Sequence, residues 1–216
     1  MIIDNIDEPT AAVTVLGTEA PDDIWAAQNF RVRGVYSLDS IEVRSGAALD
    51  PVDVIFELRA GDDPSGPPLT VFFPPALSPD SVEIVSLIPS TPVELRRGVS
   101  YWLIAGVSQS GKFGLAYAVG NNWTGTGVIG GYLYSEDRGT TWGSPGIDDP
   151  YHMRINATPI CECQADFNCD GQGDFFDYLD FAAAFSSDDL SADYFPDGQI
   201  DFFDYLDFAS AFDAGC

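Results

Sequence analysis

Basic residues are scarce in this chain. Nine Lys and Arg stand against 34 Asp and Glu among 216 residues, a formal charge of −25. A surface this anionic repels nucleic-acid phosphates, and the doublet Arg96-Arg97 is too small a footprint for a phosphate backbone, so nucleic-acid binding is excluded. Long apolar runs are missing as well: none approaches the roughly 18 residues a spanning helix requires. His152 is the single histidine, and neither a Gly-rich phosphate loop nor a serine in a nucleophile-elbow context accompanies it. A His-based catalytic triad therefore has no support, and a non-catalytic role is expected. The opening stretch MIIDNIDEPT lacks the basic and apolar regions of an export signal, which leaves a cytosolic protein or a mature segment whose signal has been removed.

What is present argues for a folded, exported protein. Apolar residues make up 45% of the chain, with 15 Phe among them, enough for a real core despite the charge. All four cysteines, Cys161, Cys163, Cys169 and Cys216, lie in the last quarter. An even count around one small segment reads as a disulfide clasp formed in an oxidising compartment, so the expected location is secreted, extracellular or cell-surface. Zinc is the competing reading, but a C-x-C pair with one distant Cys does not match the usual ligand spacing. The pairing itself cannot be read from the sequence.

Charge divides the chain. Residues 1–160 carry 20 acids and nine bases, whereas 161–216 carry 14 acids and no Lys or Arg. So abrupt a change marks two units, and we place them at 1–158 and 159–216, with the joint in the polar stretch 156–160. The first unit reads as β throughout. Strand-length runs recur at 24–32, 37–44, 52–59, 69–73, 82–88, 101–107, 113–119, 128–134 and 151–155, separated by turns such as 61–68 and 108–111. Such runs with Gly/Pro-rich breaks predict an antiparallel β-sandwich. The fold class is therefore mainly β, with a small helical module behind the sandwich.

That module contains a repeat. The twenty residues from Asp166 return 27 positions later from Asp193, with fifteen identities. In the first copy, oxygen-bearing side chains fall at loop positions 1, 3, 5, 9 and 12: Asp166, Asn168, Asp170, Asp174 and Asp177. Gly171 stands at position 6, where the chain must turn, and Gln172 at position 7 can offer its carbonyl. This is the EF-hand calcium pattern with Asp in place of the usual terminal Glu. Carboxylates converging in one loop repel unless a hard dication neutralises them, so Ca2+ is the expected cofactor. The second copy keeps Asp193, Asp197, Gln199, Asp201 and Asp204 but has Phe195 at position 3, which predicts weaker binding there. After each loop, Phe176, Leu179, Ala183 and Phe203, Leu206, Ser210 recur at helical spacing and are expected to form the seam between two helices.

A duplicated loop, each copy followed by one helix, resembles the dockerin module. The run Phe-Phe-Asp-Tyr-Leu-Asp-Phe, the leading cysteine and the final Gly215-Cys216 resemble the GC-type dockerins that end many secreted planctomycete proteins. The resemblance implies export and attachment of a cargo domain to a protein partner, such as a cohesin or another surface protein. In dockerins the contact surrounds loop positions 10 and 11, here Phe175, Phe176, Phe202 and Phe203. Small hydroxyl residues are common there in dockerins with known partners, so phenylalanine points away from an ordinary cohesin. Of the four, Phe175 and Phe202 are expected at the surface and Phe176 and Phe203 in the core. The first unit, through 24–30, 36–43 and 99–103, resembles sandwich domains of bacterial surface proteins with C-terminal anchors.

Inside the sandwich, 135–142 fits the Asp-box pattern S-x-D-x-G-x-T-W, read as a turn device in which Asp137 accepts backbone N–H groups and Trp142 packs beneath. Trp123, Tyr132 and Tyr134 form a candidate platform for a polysaccharide, whereas Trp25 and Trp102 read as core. The acidic pairs Asp62-Asp63, Glu136-Asp137 and Asp148-Asp149 read as solvated caps of turns. Two further roles remain open, a carbohydrate-binding sandwich and a self-associating extracellular fibre subunit built through edge strands.

Overall fold

The computed structural model describes all residues except 20–21, 47–52, 76, 78–80, 109–110, 147, 162 and 196. Among the described residues thirteen strands precede two helices. The strands are β1 (Ile3–Asp4), β2 (Thr10–Glu19), β3 (Asp22–Arg31), β4 (Tyr36–Gly46), β5 (Val54–Ala60), β6 (Pro68–Phe72), β7 (Glu83–Leu87), β8 (Glu94–Leu95), β9 (Tyr101–Val107), β10 (Gly111–Ala118), β11 (Val128–Ser135), β12 (Gly143–Gly146) and β13 (Met153–Pro159). The helices are α1 (Phe175–Ser186) and α2 (Phe202–Ala214), with a short 3-10 turn at Leu190–Ala192 between them. No helix among the described residues is long and apolar enough to cross a membrane.

Every strand pairing is antiparallel. One layer runs β1-β13-β4, with β7 and β8 on the far edge of β4 and β10-β2 continuing from its end. The other runs β6-β5-β9-β3-β11-β12. Strand β3 joins them: its first residues pair with β2, and the rest with β9 and β11. Between the layers lies the main core, with Phe30, Phe56, Leu58 and Phe72 on one side and Ile41, Val43, Phe113, Met153 and Ile155 on the other. This is a β-sandwich-like arrangement, and it follows from period-2 alternation. On β5, Phe56 and Leu58 are buried while Glu57 and Arg59 face outward and pair at 2.6 Å.

All nine runs read from the sequence contain strand, although residue 52 and turn residues 109–110 lie outside the described residues. Strand β2 was not among them. Its apolar run does not alternate, because Val13 and Val15 are exposed on the face opposite buried Leu16. The stretch expected as a joint is also strand: 156–159 completes β13 against β4, and Ile160 N–H donates to Val35 O at 2.8 Å.

The helical repeat is two-fold symmetric in its contacts. Phe181 and Phe208, equivalent in the two copies, stack with centroids 4.0 Å apart. Around them contacts come in pairs that exchange on a 27-residue shift. Phe181–Tyr205 and Tyr178–Phe208 both measure 6.4 Å, and Phe185–Tyr205 and Tyr178–Phe212 measure 6.2 and 6.1 Å. The seam is therefore Tyr178, Phe181, Phe185 against Tyr205, Phe208, Phe212. The expected seam is overturned: Phe176, Leu179, Ala183, Phe203, Leu206 and Ser210 lie on the outer faces. Placing Phe176 and Phe203 in the core fails with it, for they are 65% and 70% exposed. Both stripes are apolar at spacing i, i+3, i+7, so period alone cannot choose between them. Asp177 and Asp204 choose, because each must turn inward to close its loop and carries its neighbour, Tyr178 or Tyr205, to the seam.

Candidate metal centre

Each acidic loop is closed by its first and last carboxylates. Asp166 accepts the N–H groups of Asp170 (2.9 Å) and Gly171 (2.8 Å). Asp177 accepts Asn168 N–H at 3.1 Å and Asp174 N–H at 2.8 Å, completing a capping box in which Asp174 caps α1. Asn168 and Asp170 fold over the loop by accepting the N–H groups of Asp170 and Gln172. The second loop repeats the scheme: Asp193 accepts Gly198 N–H at 2.9 Å, Asp204 accepts Tyr194 and Phe195, Asp197 accepts Gln199, and Asp201 caps α2. Gly171 and Gly198 have φ of +91° and +88°, the left-handed turn that position 6 demands and that favours glycine.

Burial separates the candidate ligands. Asp166, Asp177, Asp193 and Asp204, at positions 1 and 12, are buried, while Asn168, Asp170, Gln172, Asp197, Gln199 and Asp201 are exposed and Asp174 is half-buried. The side chain of Phe195 cannot ligate. Among the described residues no three His, Cys, Asp or Glu stand grouped closely enough to hold an ion as the loops are folded, the carboxylates facing backbone N–H groups instead. One observation nevertheless points to a cation: Asp193 Oδ1 is buried with no hydrogen-bond partner. Burial and the neighbouring Asp204 and Asp197 raise the pKa of Asp193 to about 6, against the Gly198 N–H and Arg31, which lower it. An all-oxygen donor set with an orphaned buried carboxylate oxygen suits a hard dication such as Ca2+.

The cysteines clasp the first loop. Cys161 pairs with Cys169, inside that loop, and Cys163 pairs with Cys216 at the end of the chain. All four are thereby used in disulfides. No match to this chain is found among protein-family models, curated proteins or solved structures.

The four phenylalanines stand beside the loops on the outer surface. Phe175, Phe176, Phe202 and Phe203 are 63%, 65%, 64% and 70% exposed, with Leu179 and Leu206 exposed a turn further on. Phe175 lies over Tyr178 and Phe202 over Tyr205 in the same stacked geometry, at 6.3 and 6.2 Å.

Sequence reasoning missed a set of residues on the sandwich. Arg97 is buried and spans the rings of Phe167 (4.8 Å) and Tyr194 (4.4 Å), the position-2 residues of the two loops. It thus touches both copies of the repeat at once. Burial lowers its pKa, against the phenols of Tyr194 and Tyr36. Arg33 lies over Phe195 at 4.3 Å, and Gly98 approaches the Leu190 backbone so closely that a Cβ would collide with it. The available signals were the two short pairs, Arg31 with Arg33 and Arg96 with Arg97, in a chain with so few bases.

Elsewhere the Asp-box behaves as a turn. Asp137 accepts the Thr141 N–H and hydroxyl and the Ser135 hydroxyl, all within 2.8 Å, and these bonds lower its pKa. Trp142 packs with Trp25 and Trp102 on the outer face of the β9 sheet. Asp63 caps its turn by accepting Ser65 N–H, whereas Asp149 bridges to a distant loop by accepting Gly120 N–H. Of the aromatic platform, Tyr132 and Tyr134 meet at 5.4 Å and join buried Tyr151, whose hydroxyl donates to that of Tyr134. Trp123 is half-buried against the core, its Nε1 donating to Gly127 O.

Proposed function

We propose that this chain is a non-catalytic modular protein of the extracellular space, in which a calcium-dependent, dockerin-like module at 159–216 attaches a β-sandwich to a protein partner or a cell surface. The observation that carries the reading is the duplicated loop-helix with four buried carboxylates in a segment holding no Lys or Arg. Buried charges need a counter-charge or a metal. Asp166, Asn168, Asp170, Asp174 and Asp177, with the carbonyl of Gln172, would hold one ion. Asp193, Asp197, Asp201 and Asp204, with that of Gln199, would hold a second, weaker one. Calcium would neutralise the loops and fix the helices that display Phe175, Phe176, Phe202 and Phe203. Exposed phenylalanines rimmed by Asp174, Asp180, Asp201 and Asp207 fit a partner offering an apolar pocket with a basic edge. The two disulfides are consistent with an oxidising compartment.

The test is calcium titration of the full chain, followed by melting and pull-down from an envelope fraction with and without chelator. Calcium should raise the melting temperature and chelator should abolish capture. Unchanged helicity and melting under chelator would remove the reading.

A further inference from the structure

The two loops are nearly identical in sequence but not in surroundings. Both loops give their position-2 ring to Arg97, but the second meets sandwich arginines at two further positions. Phe195, at position 3, takes the Arg33 guanidinium on its ring at 4.3 Å. Gly198, at position 6, lies so near Arg31 that a Cβ would collide with Arg31 Nη1. Arg31 is itself fixed, its Nε donating to Ser100 Oγ at 3.0 Å. In the first loop, position 3 is Asn168, a ligand type, and a Cβ on Gly171 would meet nothing within 4 Å.

From these differences we infer that the sandwich grips the second loop more extensively than the first, and that Arg31 placed there lowers this loop's affinity for a divalent cation. This rests on the calcium reading above and goes beyond it. A missing side-chain ligand at position 3 weakens the site locally, whereas Arg31 acts from another element by placing a positive charge beside a pocket meant for a dication. Like charges at short range oppose binding even when partly solvated. The orphaned Asp193 Oδ1 still provides a lone pair for the ion, so the loop retains a site while its arginine neighbours oppose filling it. At Phe195 a cation–aromatic contact with Arg33 stands where the first loop has a ligand oxygen, which ties the loop to the sandwich at the expense of the ion site.

The experiment follows the amide signals of Gly171 and Gly198 by NMR during Ca2+ titration of the full, oxidised chain, since each reports its own loop. Gly198 should reach its midpoint at higher Ca2+ than Gly171. Arg31→Gln should lower the Gly198 midpoint roughly five-fold, as expected for one charge removed near a dication, and leave Gly171 in place. Arg31→Lys, which keeps the charge but alters packing, should leave both midpoints unchanged. A Gly198 midpoint that stays put or rises in Arg31→Gln, or that falls equally in Arg31→Lys, overturns the inference while leaving the calcium reading intact. Absence of any response at either glycine overturns both.

Discussion

His152 is fully buried, and its two ring nitrogens are spoken for. Asn5 O, 2.8 Å from Nδ1, can only accept, so Nδ1 carries the proton and Nε2 accepts from the Thr10 hydroxyl at 3.0 Å. The neutral tautomer thus ties the N-terminal segment to the strand edge at β10 and β13. Burial lowers the pKa from 6.5, with the Arg44 charge acting the same way. The sign follows: below pH 6.5 the unfolded chain takes up a proton that the native state refuses, so stability is full above that pH and is lost as pH falls towards the depressed native value. Melting temperature measured from pH 7.5 to 5 should therefore fall more steeply in wild type than in His152→Gln. A variant with the same slope as wild type would show that carboxylates alone govern the decline.

At the scale of elements, the helical repeat presents two apolar stripes with opposite fates. Phe181→Ala removes the ring stacked on Phe208 at the centre of the seam and should cost about 3–5 kcal/mol. Replacing Phe175 and Phe202 by serine removes exposed rings and should change stability by less than about 1 kcal/mol in total. Chemical denaturation of the three proteins checks both statements, and the serine variant should lose envelope capture while remaining folded. Retained capture would move the contact surface elsewhere. Both stripes were visible in the sequence as i, i+3, i+7 patterns. The choice between them was not, because it depends on Asp177 and Asp204 turning inward to accept backbone N–H groups, a tertiary event.

For the whole molecule, the acidic module and the sandwich meet through the few cations the sandwich owns. Arg97 holds the position-2 aromatics of both loops, and its Nη1 is buried without a partner, as is Arg33 Nε. Two cation–aromatic contacts and the packed guanidinium together contribute about 2–4 kcal/mol. Arg97→Ala should lose that amount and divide a single calorimetric transition into two, one for each unit. A single transition preserved in the variant would show that the chain linkage at β13 suffices to couple them.

Local chemistry was enough to establish the segregation of charge, the duplicated loop with its turning glycines, the capping carboxylates, the Asp-box turn and nine of the strands. Each of these depends on residues a few positions apart, where spacing and side-chain type already constrain the backbone. Which cysteines pair, which helix stripe is buried, how β2 enters the sandwich and where Arg31, Arg33 and Arg97 rest were decided only in three dimensions. Those contacts join residues tens of positions apart, and their energies compare whole packing arrangements that no local period can rank.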